Sequence, residues 1–325
     1  MGETICRSIS RRCGSAGGAG WGRFYDEGPP AREGRCAERP SAGRDSAMSA
    51  HRLRVAVIQF PGSNCEEETA WSLASVGLRP CILRWNEPAA ELRRFAAAVL
   101  PGGFSFQDRI RGGALASKLP LVSALVEMAG EGLPILGICN GAQILVEAGL
   151  VPGLVPERVD MCLAPNRMEE RSGYYSRWVH LRVEPAAADC LFTRTVRPGE
   201  LLPMPMAHAQ GRFQSRDRAV MSALRQLVPL AYADPAAPGG AAGFPWDPNG
   251  SLLGAAAVMN REGNVMGIMP HPERALWLHQ VPPMLDGPWG GQRRAGAGWA
   301  REGPGWHIFR SLALALRGAA PGGAV

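Results

Sequence analysis

The stretch LPILGICNGAQIL, residues 133–145, decides how the chain folds. Its first half is a short, almost continuous apolar run, the pattern of a strand buried on both faces of a parallel sheet. The run breaks at Gly137, Ile138, Cys139, Asn140 and Gly141 and passes into a helical pattern. Glycines on either side of the turn permit tight backbone and close packing. Cys139, between them, is pushed out at the carboxyl edge of the sheet, over a helix N-terminus. The unit reads as strand, nucleophile elbow, helix.

Upstream the same alternation repeats. LRVAVIQF (53–60) reads as a buried strand, and a helix should follow, with Asn64 as its cap, Glu66, Glu67 and Glu68 at the positive end of its dipole and Gly77 closing it. CILRW (81–85) and AAVL (97–100) are further strands, the second running into PGGFS, and a helix is expected over 114–131. Past the elbow a helix covers 140–149, and after Gly153 the pattern loosens. VHLRV (179–183), LVPLAYA (227–233), AAAVMN (255–260) and VMGIM (265–269) read as strands, the last two joined by REGN as a hairpin turn. WHIFRSLALALR (306–317) repeats its apolar residues at helical spacing. Strands alternating with helices through short connections predict an α/β fold, an open, mostly parallel, doubly wound sheet with flanking helices. One domain is expected over 48–325, with irregular insertions near 234–250 and 279–305. Residues 1–47, built from Gly, Ser, Arg and small residues, are expected to be a disordered extension, and Met48 is the expected start of the folded protein.

Composition narrows the function classes. The 325 residues are 46% apolar and 20% charged, a globular balance with length for a large core. A net charge of +6 raises nucleic acid as a partner, but the 35 basic residues are 34 Arg and Lys118, scattered, with no basic helix or basic-aromatic repeat, so none is expected. No apolar run approaches the length that spans a bilayer, and the N-terminus lacks the apolar core of a secretory signal, so the expected location is cytoplasmic. Eight cysteines without a CxxC pair point to reduced thiols, and with no HExxH motif no metal site is expected.

Three strand ends carry candidate chemistry. At the elbow, unpaired backbone N–H groups favour the thiolate of Cys139, and the amide of Asn140 can donate to an oxyanion. The bland alternative is a buried structural cysteine at a strand-to-helix junction. VMGIMPHPER (265–274) ends a strand with His271 and Glu273 two residues apart, so a carboxylate can hold the imidazole that takes and returns the thiol proton. A surface histidine beside a glutamate reads the same way, but two strand ends meeting at one edge of an open parallel sheet favour a ligand site. PGGFSFQDR (101–109) offers glycine backbone that can approach a ligand, with Gly103 as the second oxyanion donor; the alternative is a plain turn.

GICNGAQ with PHPER, preceded by PGGFSFQD and opened by VIQFPGSNC, resembles the class I glutamine amidotransferases. With NRMEERSGYY (166–175) and PNGS (248–251), the set is most similar to the glutaminase subunits of phosphoribosylformylglycinamidine synthase, over roughly residues 53–278 plus the closing helix. The resemblance implies Cys139 as nucleophile on the glutamine side-chain amide, His271 as general base and acid, Glu273 as its orienting carboxylate, and Gln143 and His208 as substrate contacts. It also implies a synthetase partner that uses ATP and Mg on formylglycinamide ribonucleotide, with a small accessory subunit as a further candidate; no cofactor is expected on this chain, which has no GxxxxGK[ST]. MAHAQGRF departs from the usual AHGEGRF at Ala209 and Gln210, and Gln107 stands where the family has Gly.

Two other readings share the same residues. One is a free-standing Cys/His hydrolase on this fold, which would send ammonia nowhere; the other is a non-catalytic assembly subunit, against which the intact Cys139, His271 and Glu273 argue. WLHQVPPML (277–285) with Trp289, Trp299 and Trp306 could form an apolar partner surface, or could pack on its own domain.

Overall fold

The computed structural model describes residues 53–318 apart from 157, 169–172, 297 and 299. The extension expected over 1–47, Met48 and Trp299 lie outside the described residues.

The strands are β1 (Arg54–Gln59), β2 (Arg79–Arg84), β3 (Ala97–Leu100), β4 (Ile135–Ile138), β5 (Cys162–Pro165), β6 (Tyr175–Val183), β7 (Leu201–His208), β8 (Gln210–Gln214), β9 (Leu230–Ala233), β10 (Ala255–Met259) and β11 (Val265–Ile268). Nine of them form one sheet in the order β2-β1-β3-β4-β11-β10-β9-β6-β7, and β5 pairs with β8 separately. The pairs from β2 to β11 are parallel and those from β11 to β7 antiparallel. By these pairings seven strands run one way and only β6 and β10 run against them, which is the mostly parallel sheet the alternation predicts. β3, β4 and β11 are buried at every position, as their apolar runs require.

Helices α1 (Glu66–Ser75), α2 (Pro120–Gly130), α3 (Asn140–Glu147), α4 (Arg218–Ala223), α5 (Pro288–Arg294) and α6 (Trp306–Gly318) flank the sheets and their loops. α3 is buried at all of its positions and packs across β3, β4 and β11. α6 buries Ile308, Phe309, Leu312, Ala313 and Leu316, one face of the helix.

Several boundaries differ from the sequence reading, each for a physical reason. The helix expected over 114–131 begins at Pro120: Leu119, preceding the proline, is extended, and residues 116–118 form only a single tight turn. α1 is capped by Cys65 without a side-chain bond; Asn64 instead accepts from the Cys65 thiol at 3.1 Å. β7 was not legible because Pro203 and Pro205 interrupt it, but β7 is the edge of the sheet, where a missing N–H costs no ladder bond. Residues 234–250 form a loop of turns. The 279–305 insertion contains α5; Trp289 within it, and Trp277 and Trp306 flanking it, pack against the core, and Trp289 donates to Leu201 O on β7 at 3.0 Å. Among the described cysteines Cys65, Cys139, Cys162 and Cys190 are free, as expected, whereas Cys81 is disulfide-bonded.

Candidate active site

Strand register places the chemistry. Ile138 pairs with Ile268 and Gly137 with Leu100, so β3, β4 and β11 end level with one another. Gly102, Gly103, Cys139 and His271 therefore emerge at one edge of the sheet, the carboxyl edge, where ligands of open α/β sheets bind.

Cys139 sits at φ 51° and ψ −104°, a conformation that a residue with a β-carbon enters only under strain. It is held there because its N–H donates to Ile268 O at 2.8 Å and its carbonyl accepts from Gln143 N at 3.1 Å. Gly141 is required by proximity rather than by its torsions: a β-carbon there would overlap Leu100 O, where α3 crosses β3. The thiol lies 3.8 Å from Ala207 O, the acceptor it faces on β7.

His271 follows β11, and its N–H donates to Pro205 O at 2.8 Å, tying this loop to β7. The tight turn Pro272–Arg274 brings Glu273 back to the ring, so His271 Nδ1 donates to Glu273 Oε1 at 2.6 Å with both side chains buried. Burial alone would lower the imidazole, but the Glu273 carboxylate, aided by Cys139 and Cys65, outweighs it and holds His271 well above its ordinary value. Both cysteines line the same cleft as the ring. Thiol, imidazole and carboxylate thus stand in the order that cysteine nucleophiles need.

The two expected oxyanion donors border this triad. Gly103 and Cys139 line one cleft of about 90 Å³. Asn140 is the first residue of α3, so its N–H has no acceptor inside the helix. The Asn140 side chain does something the sequence did not reveal. It accepts from Ser105 N at 2.9 Å and donates to Asp108 Oδ1 at 3.0 Å, clamping the loop after β3 onto the elbow. That loop needs clamping, because Phe106, Gln107, Asp108 and Ile110 all have positive φ. Its far end is held by Arg111, which reaches Glu147 through two bonds of 2.5 and 2.6 Å.

Gln143 lines the cleft, with its carboxamide bonded within the protein: it accepts from Asn140 Nδ2 at 2.7 Å and donates to Gln210 O at 2.7 Å. Gln210 Oε1 in turn accepts from Gly112 N at 3.2 Å, a bond that a carboxylate at this position could equally accept. His208, at the end of β7, also lines the cleft. Its ring is buried with neither nitrogen partnered, and burial, with His271 nearby, pushes it down to about 3, so it is neutral near pH 7.

Other residues at the site had no local signal beyond membership of a motif. Asn166 donates to His208 O at 2.9 Å and accepts from Gly211 N at 3.0 Å, holding the turn between β7 and β8. Asn249, of PNGS, donates to Gly211 O at 2.9 Å and Tyr232 Oη at 2.8 Å behind the same turn. Asp247, beneath it, is raised by burial to about 6 against the amides of residues 249–251. Asp108 and Arg274 bring opposite charges to the cleft; burial raises Asp108, opposed by its bond from Asn140. Cys65 also lines it, 3.1 Å from Arg274 Nη2, and burial raises its thiol despite the nearby His271.

Residues 52–313 match the model of the CobB/CobQ-like glutamine amidotransferase domain. The chain is 42% identical over 269 residues to a Methanothrix thermoacetophila protein named phosphoribosylformylglycinamidine synthase subunit PurQ, covering 80% of this chain and 97% of that one. A protein of the same name from Symbiobacterium thermophilum is 42% identical over 72% of this chain and 92% of its own length. Among solved structures, a chain of PurLQS from Thermotoga maritima superposes with a TM-score of 0.59 at 30% identity, over 81% of this chain and 98% of that one.

Proposed function

The chain belongs to the CobB/CobQ-like glutamine amidotransferase family, and from that premise we propose that it hydrolyses glutamine at Cys139 and passes the ammonia to a partner synthetase that converts formylglycinamide ribonucleotide to formylglycinamidine ribonucleotide. The observation that carries the chemistry is the strained Cys139 beside the buried His271–Glu273 pair. His271 takes the thiol proton, and the thiolate attacks the side-chain carbonyl carbon of glutamine. The N–H groups of Gly103 and Asn140 receive the oxyanion. As the tetrahedral species collapses, the C–N bond breaks, imidazolium gives its proton to nitrogen, and ammonia leaves a γ-glutamyl thioester on Cys139. Water, deprotonated by His271, then releases glutamate and restores the thiol. Glu273 keeps the ring oriented throughout and stabilises its charged form.

The substrate side of the cleft is assigned to Gln143 and His208. Gln143 contributes chiefly by fixing the Gln210 turn, and neutral His208 offers one donor and one acceptor. ATP and Mg belong to the synthetase, and the setting is cytoplasmic; among the described residues no helix is long and apolar enough to cross a membrane. Phe104 and Tyr174 at the cleft, both about half exposed, and the more exposed Ile110 on the adjoining loop give its mouth an apolar rim, which supports coverage by that partner and channelling of ammonia.

The test measures glutamate release by the full chain, alone and with purified synthetase, ATP, Mg and formylglycinamide ribonucleotide. Strong hydrolysis in the complete mixture, lost in Cys139→Ala with the complex still assembled, is the expected result. Equal hydrolysis with and without the partner would favour the free-standing hydrolase. Unchanged product formation by Cys139→Ala from glutamine would favour the assembly subunit.

A further inference from the structure

Cys65 is a second buried thiol beside the catalytic imidazole, and hydrolysis as derived above makes no use of it. Its Sγ, a ring nitrogen of His271 and a carboxylate oxygen of Glu273 lie within 4.8 Å of one another, in residues only 1%, 3% and 3% exposed. Glu273 uses Oε1 on His271, while Oε2 is buried without a partner. A buried carboxylate oxygen without a partner is costly, and a cation would satisfy it. Between ring and sulfur the wall is Gly102, where a β-carbon would stand 2.8 Å from His271 Cε1 and 3.1 Å from Cys65 Sγ, so this gap is open because residue 102 has no side chain.

We infer that Cys65, His271 and Glu273 form a binding site for a borderline divalent cation such as Zn2+, and that its occupancy silences the catalytic base. Sulfur, imidazole nitrogen and carboxylate oxygen are the donors such an ion selects, whereas Mg2+ or Ca2+ would want oxygen alone. No sequence spacing announces the site, because Cys65 follows β1 and the other two ligands follow β11. A tetrahedral zinc ion spaces its ligand atoms about 3.3–3.6 Å apart. Binding therefore opens the 2.6 Å contact between His271 Nδ1 and Glu273 Oε1 and draws the sulfur in. The Cys65 thiol proton goes to solvent, and the imidazole proton moves from Nδ1 to Nε2. Arg274, 3.1 Å from Cys65 Sγ, gives way towards Glu68, already 3.3 Å from it. An imidazole coordinated through Nδ1 and protonated at Nε2 cannot accept the proton of Cys139, so turnover stops.

The inhibition half of this inference rests on the glutaminase reading; the binding half does not. Co2+ is titrated into the full-length Cys139→Ala chain, and the thiolate-to-cobalt charge-transfer band is followed, with Zn2+ as competitor. The band should form at one equivalent, weaken in Cys139→Ala/Glu273→Gln, and disappear in Cys139→Ala/Cys65→Ser, whose Zn2+ affinity, read by competition with a chromophoric chelator, should fall by at least about tenfold. In parallel, Zn2+ should inhibit glutamine hydrolysis, and Cys65→Ser should raise the inhibition constant by a similar factor relative to its own metal-free rate. A band that survives Cys65→Ser, or that never forms in Cys139→Ala, overturns the site. An inhibition constant unmoved by Cys65→Ser overturns its link to the base. Absence of glutamine hydrolysis with an intact Cys65-dependent band would instead count against the proposed function alone.

Discussion

In the parallel half of the sheet, strands β3, β4 and β11 deliver Gly103, Cys139 and the His271–Glu273 pair from three contiguous motifs. In the antiparallel half, His208 and Gln210 reach the same cleft through contacts spanning long stretches of chain, such as Gly112 to Gln210, 98 residues apart, and Asn166 to His208, 42 apart. The proposed reacting groups are placed by short-range geometry, a strained elbow and a tight turn at strand ends. The proposed substrate side is placed by tertiary hydrogen bonds to one turn, residues 208–211. That division predicts that changes in the first region act on kcat and changes in the second on KM or stability.

Cys139→Ala should have the largest effect, lowering glutamine-dependent product formation by about 10⁴-fold or more while added ammonium salt still supports the synthetase. Next, Glu273→Gln should lower kcat by about 10³-fold with KM for glutamine little changed. Because Glu273 raises His271, its removal lowers that pKa. The acidic limb of the pH–rate profile, where protonation removes the base, should shift to lower pH, and an unmoved limb would assign it to another group.

On the other side, His208→Asn should raise KM for glutamine by roughly three- to tenfold, the worth of one neutral hydrogen bond, with kcat less affected. The same variant tests the charge state. A histidine held at about 3 when folded binds fewer protons than the unfolded chain below about pH 6.5, so wild type should lose stability as pH falls through that window, by up to about 1.4 kcal/mol per pH unit. His208→Asn should flatten that slope in thermal unfolding between pH 4 and pH 7 (roughly the accessible part of the window). The raised His271 works with the opposite sign, its stabilisation being full below about pH 6.5 and lost as pH rises through its folded value. Asn249→Ala removes two bonds in a fully buried setting and should cost about 2–3 kcal/mol in denaturant unfolding, its kinetic effect confined to KM. The smallest expected change is Gln107→Gly, which relieves a side chain at φ 60° and should stabilise by about 0.5–1 kcal/mol.

The parallel half was legible because its signals are local. Apolar runs mark β1, β3, β4 and β11, and the elbow and HxE spacing mark the triad. The antiparallel half was only partly legible. β7 is masked by two prolines that an edge strand tolerates, and β8 (QGRFQ) is too short and polar to stand out. Asn166, Asn249 and Cys65 could be quoted as parts of motifs, but their partners lie 42, 38 and 209 residues away, distances at which sequence pattern carries no geometry. Metal-ligand spacing is silent on the proposed cation site for the same reason, since the Cys65–His271–Glu273 cluster joins two strand ends rather than one segment.

Two thiols lie beside one imidazole, and the proposed nucleophilic chemistry belongs to Cys139 alone. The most direct test is to treat the full chain, assembled with its synthetase and ATP, with a diazoketone analogue of glutamine, then locate the alkylated residue by peptide mass spectrometry. A single glutamine-protected adduct on Cys139, absent from Cys139→Ala and not transferred to Cys65, is the predicted result. An adduct on Cys65, or no adduct in the assembled complex, would contradict it.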